Sequence, residues 1–134
     1  MPRSMWQGPT VVSKRDWKLC QKDLQEVFGF ASPPDPDPSE WFPTDEFYRY
    51  KPVLDAVRRK REAAVILERS HARRVARDRD RTNDRVVAAH EQAAEAFRAA
   101  ELELARLESD EAMAEIRFRA ETRLNELRSE AASK

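Results

Sequence analysis

Residues 53–134 contain neither glycine nor proline: Gly29 is the last glycine of the chain and Pro52 the last proline. Ala, Arg, Glu and Leu dominate this run, and all four are strong helix formers. As one helix it would extend about 120 Å at a rise of 1.5 Å per residue. The residues before it are too few to wrap a rod of that length. The sequence therefore predicts an all-α chain with no sheet, in which 52–134 forms one very long charged helix that lies along something larger.

The residues ahead of the rod divide in two. Residues 1–30 read as an arm followed by a short amphipathic helix. Ser13 is a good N-cap with Asp16 three positions on, and Gly29 is a natural C-terminal cap. Between them Trp17, Cys20, Leu24, Val27 and Phe28 share one face at helical spacing. Residues 31–51 read as a strap. Five prolines between Ala31 and Pro43 favour extended backbone, with Trp41 and Phe42 as anchors. Thr44 can cap a short turn carrying Phe47, Tyr48 and Tyr50, and Pro52 suits the first turn of the rod. The rod offers too little apolar surface to cover this region, so Trp17, Leu24, Phe28, Trp41 and Phe42 are expected at an interface with another protein. Within the rod, Phe97, Leu104 and Leu107 form part of a stripe stepping by three and four, which also predicts a helical protein neighbour. Ile116, Ala120 and Leu124 continue a stripe in a shifted register after Glu111.

Charge narrows the functional classes. The chain has 25 basic and 25 acidic residues, so its formal net charge is zero. Residues 58–85 nevertheless hold eleven Arg/Lys against five Asp/Glu, and residues 91–130 hold six against eleven. Arginine forks grip phosphate oxygens in pairs. On a helix, Arg69, Arg73 and Arg77 align, and Arg74, Arg77, Arg81 and Arg85 form an overlapping ridge. With Arg58, Arg59 and Arg61 they are the candidate RNA contacts, set against internal pairing with neighbouring acids. The acidic half is expected to reach away from the RNA.

Chemistry is sparse. Cys20 is the only cysteine, which rules out an intrachain disulfide. No run of 18 apolar residues is present to span a membrane. His71 and His90 stand nineteen residues apart on the presumed rod, and no metal site follows from that spacing. With two glycines in all there is no phosphate-binding loop. No cofactor, no small-molecule substrate and no catalytic residue is expected, so the chain reads as a non-enzyme.

The order of features resembles a known family. Asp37-Pro38-Ser39-Glu40-Trp41-Phe42 is followed by Tyr48 and Tyr50, then by Val57-Arg58-Arg59. Glu91-Gln92-Ala93-Ala94-Glu95 and Leu104-Ala105-Arg106-Leu107 come further on. This order is similar to the mitochondrion-specific small-subunit ribosomal proteins numbered twenty-six, which are long-helix proteins at the edge of the mitoribosomal small subunit. The resemblance covers about residues 33–111. It implies a structural role in the mitochondrial matrix, with rRNA and other ribosomal proteins as partners. The chain departs from the family in its neutral charge, in Pro52 and in its first thirty residues. The competing class is an accessory structural subunit of a mitochondrial respiratory complex or ATP synthase, where neutral charge is usual.

Overall fold

The computed structural model describes residues 7–29, 35–77 and 84–133. Five helices follow one another: α1 (Lys14–Phe28), α2 (Pro38–Trp41), α3 (Thr44–Arg77), α4 (Asp84–Glu108) and α5 (Glu111–Ala132). All regular structure among the described residues is helical, as the composition predicts.

The single rod is not what forms: 52–134 is divided among α3, α4 and α5. α3 ends at Arg77 and α4 starts at Asp84. Thr82, Asn83 and Asp84, three poor helix formers in a row, are the weakest point the sequence predicts in the rod; Thr82 and Asn83 lie outside the described residues, and Asp84 opens α4. The second break is at Asp110, whose extended backbone (φ −67°, ψ 126°) stops one helix and starts the next. Its Oδ1 accepts from the amides of Ala112 at 2.9 Å and Met113 at 3.3 Å. Two of the donors exposed at a new helix start are thereby satisfied. The boundary expected at Pro52 is also absent, because α3 runs through it. A proline there removes one backbone hydrogen bond. Its ring faces solvent, while Tyr50, Val53 and Leu54 beside it are buried and hold the helix in place.

Two compact units result, one of residues 1–55 with 107–134 and one of residues 56–106. In the first, the core unit, α1 has the extent and caps its sequence implies. The Asp16 amide donates to Ser13 Oγ at 3.1 Å. Gly29 takes the left-handed conformation, φ 68°, and its amide donates to Gln25 O at 2.8 Å. That φ penalises any residue with a Cβ.

The expected strap is partly helical. Asp37 Oδ1 accepts from the Ser39 amide at 2.9 Å, and Glu40 Oε2 accepts from the Asp37 amide at 3.1 Å. With Pro38 at the first helical position, this capping box holds a single turn. Residues 30–34, the start of the strap, lie outside the described residues.

Aromatic rings fill the centre of the core unit. Phe28 meets Trp41 edge-on at 5.1 Å and Phe42 at 5.7 Å, and Phe42 meets Phe47 at 5.7 Å. α5 adds Ile116, Ala120 and Leu124, spaced by four and all buried. Glu46, only 9% exposed, joins α3 to α5. Its Oε1 accepts from Arg119 Nε at 2.7 Å, its Oε2 accepts from Arg123 Nη2, and Arg123 Nε donates to Trp41 O at 2.8 Å.

One surface bond gives the core unit a pH dependence. Tyr48 Oη donates to Asp16 Oδ2 at 2.7 Å, which holds the Asp16 carboxyl below its usual range and pushes the Tyr48 phenol up. A depressed carboxyl stabilises the fold above its unfolded pKa, and that contribution disappears as pH falls through the folded value. Tyr48→Phe is therefore expected to be less stable than the parent at neutral pH. The gap should close as pH falls through the lowered Asp16 value, as read from urea midpoints along an acid series.

Candidate functional site

The second unit is an antiparallel pair of helices made by α3 from Ala56 onward and α4 up to Arg106. Arg59 Nη2 donates to Glu103 Oε1 at 2.8 Å, and Ser70 Oγ lies 3.0 Å from His90 Nδ1. Partner numbers fall on α4 as they rise on α3, so the chain reverses between them. The stripe on α4 is covered accordingly. Ala93 and Leu104 are buried, and Phe97 and Ala100 are half-buried. The helical neighbour that their spacing calls for is supplied by the chain itself.

The same correction applies to the expected interface residues of the core unit. Leu24, Phe28, Trp41 and Phe42 are each 5% exposed or less, and they form its core rather than a docking face. Trp17 is half-buried with its ring 4.7 Å from Phe47. Leu107 is also half-buried. The apolar surface that the rod reading spread along solvent is gathered here, from the start of α3 and from α5.

The candidate RNA contacts fall on the hairpin. Arg58, Arg59, Arg61, Arg69, Arg73, Arg74 and Arg77 are on α3, and Arg85 is in the first turn of α4. Arg69 and Arg73 are exposed and one turn apart, and Arg85 is exposed too. Arg58 and Arg61 are half-buried. Arg81 and the side chains of Arg74 and Arg77 lie outside the described residues. Arg59 is engaged by Glu103, though the two side chains stay 52% and 40% exposed.

One ion pair, Arg59 with Glu103, crosses the charge split of the sequence between the two antiparallel helices. Pairing does not cancel it. Residues 56–106 hold thirteen Arg/Lys against nine Asp/Glu, and the core unit holds twelve against sixteen.

A cleft of about 150 Å³ in the core unit is lined in part by Tyr50, Met113, Arg117 and Phe118. Burial pushes the Tyr50 phenol up to about 12, so it stays protonated at neutral pH and is no proton acceptor. Arg117 is 3.7 Å from Glu108 and donates to Val27 O at 3.4 Å, which ties it to structural partners.

Sequence reasoning passed over one group of side chains: Ser70, His71 and His90, gathered at the hairpin. Separation along the sequence concealed them, and only the reversal brings them together.

Comparison with family models, with curated proteins and with solved structures found no match to this chain. No described helix is long and apolar enough to cross a membrane.

Proposed function

We propose that this chain is a non-catalytic structural component of a ribonucleoprotein particle, with the helical hairpin as its RNA contact. The mitochondrial small ribosomal subunit, in the matrix, is the particle its sequence resembles. The observation that carries the reading is the surplus of four positive charges on residues 56–106, with Arg69 and Arg73 exposed one turn apart. Such a ridge grips successive phosphates and positions a helix on RNA without reading sequence. The acidic core unit is repelled by the same phosphates, so protein neighbours suit it better.

Binding of the purified chain to a structured RNA, followed by fluorescence anisotropy over a salt series, tests this. Arg69→Glu with Arg73→Glu should weaken binding at least tenfold and flatten the log–log salt slope by about two. Lys18→Glu with Lys22→Glu makes the same change in net charge on the exposed face of α1 and should have far less effect. Equal behaviour of the two variants, or no binding at any salt, would overturn the RNA reading in favour of the respiratory-complex alternative.

A further inference from the structure

The chain reversal brings together the only two histidines of the protein. The ring centres of His71 on α3 and His90 on α4 are 5.7 Å apart, with their planes inclined by 43°. Ser70 decides how His90 carries its proton. Ser70 Oγ lies 2.9 Å from Leu67 O and 3.0 Å from His90 Nδ1. With the hydroxyl hydrogen directed to Leu67 O, a carbonyl that can only accept, Oγ accepts from Nδ1–H. In the neutral ring this leaves Nε2 unprotonated, with its lone pair available. A second-shell acceptor on one ring nitrogen is also how metal-binding histidines are oriented.

We propose that His71 and His90 form a two-imidazole site for a divalent transition ion of the zinc or copper class, joining α3 to α4. Metal–nitrogen bonds of about 2.0–2.1 Å place an ion roughly 3.2 Å from the centre of each ring it binds. Two rings sharing an ion then have centres about 4.5 Å apart at a right angle and about 6.4 Å apart in line. The observed 5.7 Å falls inside that range. Imidazole selects zinc, copper and nickel over magnesium or calcium, which prefer oxygen. No cluster of three or more His, Cys, Asp or Glu suited to a metal occurs among the described residues, so water completes the shell. His71 is exposed and His90 half-buried, which leaves the ion a route in. Because the two ligands meet only when the hairpin is formed, binding stabilises the hairpin by mass action.

The test is thermal unfolding of the full chain with excess zinc chloride, with copper chloride, and with EDTA. The expected result is a rise in Tm of about 3 °C or more with either ion, reversed by EDTA. Calorimetry should show one ion per chain. His71→Gln and His90→Gln should each abolish the rise, and Ser70→Ala should weaken binding about tenfold by freeing the ring. His71 is exposed, so its variant should unfold at the parental temperature in EDTA, and loss of the rise then reports a lost ligand. No shift in the parent protein overturns the proposal. So does an equal shift in both histidine variants, which would place the ion elsewhere. Half an ion per chain with dimerisation overturns it as well, since the site would then lie between copies.

Discussion

Trp41→Ala is expected to cost about 3–5 kcal/mol of stability, in the range for truncating a fully buried large aromatic. Domains of ordinary stability have about 5–15 kcal/mol in all, so this loss brings the core unit close to unfolding. The indole is completely buried. One neighbour, Phe28, meets it edge-on at 5.1 Å, and another, Phe42, stacks beside it at 5.6 Å with the planes 16° apart. α2 is a single turn, so it has no helical cooperativity to keep it in place once the ring is gone. Its tie to α5, the bond from Arg123 Nε to Trp41 O, is a backbone contact that survives only if α2 stays seated. Urea unfolding followed by near-ultraviolet circular dichroism should show the loss. Phe118→Ala is the control: that ring is 70% exposed and its removal should change stability by no more than about 0.5 kcal/mol. A cost for Trp41→Ala below about 1 kcal/mol would mean that the aromatic cluster is not the core of this unit.

Local signals in this sequence were legible. Ser13 and Gly29 bracket α1 because each acts within one turn of itself. The spacing of Ile116, Ala120 and Leu124 gives the buried face of α5 for the same reason. The break before α5 was visible as a shift of register at Glu111. Its cause, the Asp110 side chain capping a new helix, was not, since an aspartate between two acids also suits a continuous exposed face. At Asp37-Pro38-Ser39-Glu40 the capping box was present but was outweighed by the density of prolines around it. What a sequence without glycine or proline cannot specify is continuity. Residues 53–134 favour helix at nearly every position, and a rod and a folded-back pair satisfy that preference equally.

Most of the site depends on that one ambiguity. Once α4 runs back along α3, Glu103 meets Arg59, and Leu104 has a partner in the chain itself. Once α5 packs on α2, Trp41 and Phe42 become core. The candidate arginines were found from composition alone, because a surplus of charge does not depend on topology. The pairing of His71 with His90 does depend on it, and no spacing rule for a single helix brings those rings together.

Glu46 provides the second large effect, and its sign depends on which side of the ion pair is removed. The Glu46 side chain is 11% exposed, whereas those of Arg119 and Arg123 are 44% and 32% exposed. The arginines therefore keep part of their hydration and the carboxylate keeps little. Arg119→Ala with Arg123→Ala leaves a buried carboxylate without its two cations, an arrangement that costs about 3–5 kcal/mol. It also removes the bond to Trp41 O, so Arg123→Ala alone should cost more than Arg119→Ala alone. Glu46→Gln keeps the volume and one acceptor oxygen while the two arginines turn back to water, and should cost only about 1–2 kcal/mol. The triple variant should be less destabilised than the sum of its parts, because the charge left stranded by the double arginine change is gone. Urea midpoints for the five variants and the parent order these effects directly. If Glu46→Gln proves as costly as the double arginine change, a stranded carboxylate is not what makes the arginine change costly; if the triple variant loses as much as the sum of its parts, the arginine stems hold the joint between α3 and α5 by packing along the helices instead.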